Sequence, residues 1–289
     1  MPIPLVTVAM SVYNGAATVE AALRSLLWQT FLDWELILIN DGSADTTASV
    51  IDQFHDPRIR VIHASERRGL AARLNECVDV ARGKYIARMD ADDILYPDRF
   101  QRQVAYLDAH PDIDLLGHGA VLFKGSGEVV GVYPISEQHE DICRTPWWGF
   151  PLAHPTWMGR RTWFLRNRYD QSLRKGQDQE LLLRTWQQSR FAVLPLCLMG
   201  YRVDRISASK SMWGRTAYCR RLLLQANDMT SIGWALRGIA VHAAGLMRDM
   251  FLDATGIVSH GARQSFMSAD QLVSEQWQAV WKRVSLDRA

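Results

Sequence analysis

Leu5-Val6-Thr7-Val8-Ala9-Met10-Ser11-Val12 is the stretch whose reading decides the fold. It is apolar and β-branched with almost no interruption. Such a run reads as a strand buried on both faces, as strands of a parallel sheet are. Residues 18–30 follow with Val19, Ala22, Leu23, Leu26 and Leu27 at helical spacing and Thr18 placed to cap. Trp34 to Ile39 is a second strand, stopped by Asn40-Asp41-Gly42-Ser43. Thr46 to Phe54 reads as a helix, Ile59 to His63 as a strand, and Leu70 to Arg82 as a helix ended by Gly83 at C′. Lys84 to Met89 is a fourth strand. The alternation β-α-β-α-β-α-β predicts an α/β fold: a mostly parallel sheet with helices on both faces.

Beyond residue 90 the pattern changes. Pro97 to His110 is an amphipathic helix, and Leu115 to Val132 reads as two short strands around Gly125-Ser126-Gly127. Residues 144–161 are rich in Pro and Trp with little periodicity, the mark of an ordered loop that lines a site. Asp178 to Ser189 reads as a helix, Ala192 to Met199 as a strand, and the chain past Arg205 as mostly helical. In that last part Leu236, Ile239, Ala240, Ala243, Leu246, Met247, Met250 and Phe251 share one face, with Arg237, His242, Arg248 and Asp249 on the other. This predicts a packing or dimer helix. The expected organisation is 1–115 and 116–204 as two halves of one domain, and 205–289 as a C-terminal helical extension.

Composition excludes several classes. The 289 residues are 48% hydrophobic and 10% aromatic, which rules out disorder for most of the chain. Net charge is +2, so the basic excess of a nucleic-acid binder is missing, and no nucleic-acid partner is expected. The charge is uneven: residues 205–289 hold 11 basic and 6 acidic side chains. That surplus leaves room for weak peripheral attraction to anionic lipid. Cys77, Cys143, Cys197 and Cys219 include no C-x-x-C pair, which predicts free thiols in a reducing compartment. The first residues lack a basic region followed by a long apolar run. Neither a signal peptide nor a spanning helix is expected, and a cytoplasmic location follows, at most peripheral to the inner face of the membrane.

In open α/β sheets ligands bind at the carboxyl ends of the strands. Three polar clusters fall there: Ser11 to Gly15, Asn40 to Ser43, and Asp90-Ala91-Asp92-Asp93. No G-x-G-x-x-G follows the first strand, and no P-loop sequence occurs. A diphosphate would then need another source of positive charge. A hard divalent cation, Mn²⁺ or Mg²⁺, held by carboxylates is the obvious one.

Six stretches, taken in order, resemble glycosyltransferase family 2, the inverting nucleotide-sugar transferases of the Rossmann-like GT-A fold. They are Val6 to Gly15, Asn40 to Ser43, Arg68-Gly69-Leu70-Ala71 with Asn75, Tyr85 to Asp93, His154-Pro155-Thr156, and Gln177 to Leu181. The resemblance covers roughly residues 5–204. It implies a donor site of Tyr13, Asn14, Asp41, Arg68, Gly69, Arg73, Asp90, Ala91 and His154. Tyr13 would pack near the base and Asp41 would accept a hydrogen bond from base or ribose. Arg73 reads equally as a phosphate or base contact and as part of a solvated helix face. Asp90 and Asp92 would be the metal-binding pair, and Asp178 the catalytic base. Asp178 reads also as the N-cap of its helix.

The resemblance also implies transfer from a nucleoside-diphosphate sugar, a UDP-sugar being favoured, to a glycan or lipid-linked sugar in surface polysaccharide or glycolipid synthesis. Trp147 and Trp148 offer aromatic faces for an acceptor sugar. The sequence departs from the family in placing Gln177 before the base, and Asp204 where a His is common. Asp204 is a candidate third metal ligand. No Q-x-x-R-W sequence occurs, which predicts single-sugar transfer. A nucleotidyltransferase and a non-catalytic nucleotide- or sugar-binding protein are the rival readings. The C-terminal helices are a candidate homo-oligomer contact.

Overall fold

A computed structural model of the chain describes residues 3–203, 208–255 and 269–286. Strands β1 (Val6–Val12), β2 (Trp34–Asn40), β3 (Ile59–His63) and β4 (Tyr85–Arg88) lie in the order β3-β2-β1-β4, all parallel. The crossover helices are α1 (Val19–Leu27), α2 (Thr47–Ile51) and α3 (Leu70–Val80). All of β2 is buried. Its Leu36 and Leu38 pack in one core with Val19, Leu23 and Leu26 of α1. Ile37 and Ile39 point the other way, into a second core with Leu74, Cys77 and Val78 of α3. A strand alternates its side chains, so a continuous apolar run serves helices on both faces.

The second half is mixed rather than parallel. It runs β5 (Ile94–Leu95), α4 (Arg99–Ala109), β6 (Leu115–Phe123), β7 (Val129–Val132), α5 (His139–Ile142), β8 (Met158–Arg160), α6 (Arg161–Arg166), α7 (Gln177–Thr185) and β9 (Phe191–Arg202). The whole sheet is ordered β3-β2-β1-β4-β8-β6-β9-β5, with β7 hairpinned onto β6. β8 is antiparallel to both β4 and β6 and joins the two halves into one sheet. β5 and β8 have two and three residues, too short to carry an alternation.

Three local expectations are corrected. Gly83 is not a left-handed C′ residue, because α3 ends with Ala81 extended. Gly83 is small because a Cβ there would lie 2.6 Å from the backbone nitrogen of Thr7. Thr18 makes no side-chain cap; its hydroxyl turns back to the Gly15 carbonyl at 3.4 Å. Helix α7 starts one residue earlier than expected, with left-handed Gly176 as N-cap, so Asp178 lies in the first turn rather than at the cap.

Helices α8 (Ala208–Leu224), α9 (Met229–Thr255) and α10 (Gln271–Leu286) form the C-terminal part. Gly214 of α8 sits against Gly176 at the start of α7, where a Cβ would meet Gly214 Cα at 3.1 Å. α10 inserts Trp277 over Gly200 and Phe123 at the edge of the sheet. The sequence leaves open which face of α9 lies inside. The helix buries Ala235, Gly238, His242 and Asp249, and turns Leu236, Ile239, Met247, Met250 and Phe251 outward. The cause is a buried ion pair, Arg215–Asp249, between α8 and α9. Of the 18 exposed large hydrophobic side chains in the described residues, 11 fall within 212–251, so one continuous region holds most of that surface. No described helix is long and apolar enough to cross a membrane.

Candidate active site

The parallel strands bring three loops together at their carboxyl ends. After β1, Asn14 adopts a left-handed φ of 50°. Its N–H donates to Ser43 Oγ at 2.9 Å, and its side-chain oxygen accepts from the Ala44 N–H at 2.9 Å. The first and second loops are thus laced together. Tyr13 stays 40% exposed, with the Arg67 guanidinium 3.9 Å from its ring centroid.

Asp41 is the hub of the second loop. It is 2% exposed and accepts from the Arg68 N–H (2.8 Å), the Gly69 N–H (2.8 Å) and Arg73 Nε (2.6 Å). Gly69 has φ +86°, which only glycine adopts freely, and this aims its N–H at the carboxylate. Arg73 is buried, and it also donates to Glu76 (2.8 Å) and the Glu66 carbonyl (2.6 Å). It is therefore neither on a solvated face nor free for a phosphate: the guanidinium is consumed in holding the loop that carries Arg68 and Gly69.

After β4 come the carboxylates of Asp90, Asp92 and Asp93, each offering an oxygen within 4.8 Å of the others. Arg88, wholly buried, forms an ion pair with Asp90 at 2.5 Å. Asp93 is fully buried and accepts the Arg202 N–H at 2.9 Å, which ties the triplet to the end of β9. Ala91 between them packs in the core. Burial, then Asp90, pushes the Asp92 carboxyl above its ordinary range. Burial, then Asp92 and Asp90, does the same to Asp93. Crowded carboxylates with raised pKa values have an electrostatic need for a cation, and an all-oxygen set suits a hard divalent metal. Asp204 lies outside the described residues.

Asp178, in the first turn of α7, faces a cavity of about 530 Å³. Trp148, Phe150, His154 and Tyr201 also line it, and α8 and α9 contribute Arg215, His242 and Arg248 to its lining. Half-buried Tyr201, which lines this cavity, and buried Tyr169 feel carboxylates on both α7 and the loop after β4. The Tyr201 hydroxyl is held well above its ordinary pKa by burial first, with Asp93, Asp90, Tyr133 and Asp178 adding to it. Tyr169 is likewise raised by burial, against Arg88, with Asp178 and Asp90 adding to it. Tyr201 and Tyr169 thus each lie within electrostatic reach of both Asp178 and Asp90.

His154 bonds through Nε2 to the Tyr169 hydroxyl at 2.9 Å. Burial, then Arg88, lowers its pKa well below the ordinary value. Burial therefore disfavours its cationic form, and its hydrogen bond is to Tyr169. Of the two expected acceptor tryptophans, Trp148 is 48% exposed and lines the cavity. Trp147 does not: it turns to α9, 6.2 Å from the Trp234 ring and beneath Arg237.

Gln179 exchanges two hydrogen bonds with the Phe150 backbone, at 2.9 and 3.1 Å, and so fixes the loop that carries Trp148. Sequence reasoning missed Gln179, Arg67, Arg88, Tyr169 and Tyr201. Only Arg88 left a signal, a lone charge inside an apolar strand.

A sheet of this order, with acid residues after β4 and Asp178 in a neighbouring cavity, is the GT-A fold of glycosyltransferases. The family model described as glycosyl transferase family 2 matches residues 7–166, and the chain belongs to that family. It is 30% identical over 214 residues to the O-antigen biosynthesis glycosyltransferase WbnJ of Escherichia coli, covering 72% of this chain and 83% of WbnJ. Two solved structures share the fold at low identity. The mannosyltransferase PcManGT of Pyrobaculum calidifontis, in complex with GDP-Man and Mn²⁺, aligns with a TM-score of 0.60 at 16% identity, covering 100% of this chain and 89% of that one. S. aureus TarS 1-349, in complex with UDP-GlcNAc, aligns with a TM-score of 0.61 at 15% identity, covering 96% and 80%.

Proposed function

We propose that the chain transfers one sugar, with inversion, from a nucleoside-diphosphate sugar to a hydroxyl of a glycan or lipid-linked acceptor. A UDP-sugar is the favoured donor. The observation that carries this reading is the Asp90, Asp92 and Asp93 carboxylates clustered after β4, together with Asp178 in a cavity that Trp148, His154 and Tyr201 also line. It supports one reaction space with a base at one end and a diphosphate site at the other.

In this reading Tyr13 packs near the base. The Arg68–Gly69 loop, pinned by Asp41, approaches the nucleotide with its backbone. Asp178 takes the proton of the acceptor hydroxyl as that oxygen attacks the anomeric carbon. The bond from that carbon to the diphosphate oxygen breaks, the diphosphate leaves with the electron pair, and the configuration inverts. A positioned base contributes about 10²–10⁴-fold. Asp92 and Asp90 would hold Mn²⁺ or Mg²⁺, which stabilises charge on a departing diphosphate.

The outward apolar face of α9, with exposed Arg220 and Arg237 on α8 and α9, supports peripheral contact with an anionic membrane surface. The test of the transferase reading is a thermal-shift panel of nucleoside diphosphates with and without Mn²⁺. One diphosphate should stabilise the protein with metal only, and Asp92→Ala should abolish this. No shift from any nucleotide under any metal condition would overturn the reading.

A further inference from the structure

On α8 and α9 the cavity is lined by two arginines, Arg215 and Arg248, that share one carboxylate, Asp249, while Asp178 on α7 is the acid of the lining itself. Arg215, on α8, is 5% exposed. It donates to Asp249 through Nη2 at 2.9 Å and Nε at 3.2 Å, and its Nε lies 3.0 Å from Ser211 Oγ. Its Nη1 is 3.3 Å from His242 Nδ1. Arg248, on α9, reaches the other oxygen of the same Asp249 carboxylate through Nη2 at 3.2 Å. Ser211 also donates to Asp249. One carboxylate, 2% exposed, therefore serves two guanidiniums. Both arginines line the cavity. The other acid nearby on α7, Glu180, is engaged with Arg184 and Arg221.

The backbone is built for this arrangement. A Cβ on Gly245 would lie 2.3 Å from Arg215 Nη1, so only glycine lets that guanidinium lie flat along α9. Arg248 remains 43% exposed at its side chain, and among the described residues only its Nη2 is engaged. A guanidinium has five N–H donors in a fixed fork that fits an oxyanion. A neutral sugar would leave the exposed N–H donors of Arg248 without an anionic partner on the acceptor.

We propose that the acceptor carries an oxyanion, a phosphate ester or a carboxylate, that rests on Arg248 and Arg215 while its reacting hydroxyl faces Asp178. This rests on the transferase reading and names the class of its acceptor. The arginine pair then acts as a filter: anionic acceptors are held, and neutral glycans of the same size are not.

The test uses the full chain with UDP and Mn²⁺ saturating the donor site, and tungstate as a phosphate-shaped probe located by its anomalous scattering in crystals. A tungstate peak between Arg215 and Arg248, lost in Arg248→Gln and restored in part by Arg248→Lys, is the expected result. In solution, glucose 1-phosphate and glucuronate are compared with methyl glucoside. Arg248→Gln should raise the dissociation constants of the two anions about tenfold, the loss of one charge-assisted contact, and leave that of methyl glucoside unchanged. The tighter of the two anions names the source, phosphate ester or carboxylate. Absence of tungstate from this pair, or an equal effect of Arg248→Gln on the anionic and neutral probes, overturns the proposal. UDP binding is the separate gauge: its failure in the wild-type chain indicts the transferase reading, whereas its success without tungstate at α8–α9 indicts this inference alone.

Discussion

Replacing Asp41 with Asn separates a structural hub from ordinary turn chemistry. Asn is at least as good as Asp in an Asn-Asp-Gly-Ser turn, so a turn role alone predicts almost no cost. The structure says otherwise. The Asp41 carboxylate is 2% exposed and faces three donors, one of them the buried Arg73 guanidinium at 2.6 Å. Asn retains one acceptor oxygen, turns an NH₂ toward the remaining donor, and removes the charge opposite Arg73. Breaking a buried ion pair by removing one partner costs about 3–5 kcal/mol. Glu76 still pairs with Arg73 from the more open side, so the lower end applies. At roughly 2–4 °C per kcal/mol for a chain of this size, the melting temperature should fall by roughly 6–12 °C. Differential scanning fluorimetry and urea unfolding measure this directly. The double variant Asp41→Asn/Arg73→Met should cost less than the sum of the singles by about 1–3 kcal/mol, because the two side chains share one interaction. A melting shift near zero, or strict additivity, would refute the hub argument and return Asp41 to a turn residue.

Three further outcomes are expected. Asp178→Asn should lower kcat for sugar transfer by about 10²–10⁴-fold and leave UDP affinity unchanged, read by acceptor turnover and by calorimetry. His118 is buried, with its pKa held well below the ordinary 6.5 by burial first and Arg99 second. Below pH 6.5 the unfolded chain binds that proton and the native one does not, so the residue costs stability as pH falls; urea unfolding of His118→Gln should lack about 1.4 kcal/mol of this loss per pH unit relative to the wild type. Phosphatidylserine-rich vesicles should co-sediment the protein at low salt, and Met247→Glu with Phe251→Glu should abolish this; an unchanged pellet would remove the α9 face as the contact.

The donor half was legible because its physics is local. A parallel strand buried on both faces must be apolar throughout, and β1 and β2 are. The candidate ligand residues sit where such strands end, so the loops of Tyr13 and Asn14, of Asp41 and of Asp90–Asp93 were placed by finding the strands. What failed to read depends on distant partners. Arg73 has the spacing of a surface helix position, yet Asp41 and the Glu66 carbonyl draw it inside. Trp147 and Trp148 are neighbours in one loop, and only contact with Trp234 decides that the first leaves the cavity and the second lines it.

The orientation of α9 follows the same logic and reaches further. Helical periodicity finds two faces but does not say which one is inside. Apolar burial would choose the face of Leu236, Ile239, Met247 and Phe251. The buried Arg215–Asp249 pair and the glycines at 238 and 245 choose the opposite one. Burying charge in preference to methyl groups runs against the hydrophobic effect. It is consistent only if both faces have work outside the core. The inner face lines the cavity that holds Asp178, and the outer face leaves an apolar surface exposed. A chain whose α9 was only a packing helix would be stabilised by replacing Arg215 and Asp249 together with Leu and Met. If the inner face holds an anionic acceptor, that double variant loses anion binding at the cavity even when its melting temperature rises. The two measurements on one variant separate a structural ion pair from a functional one.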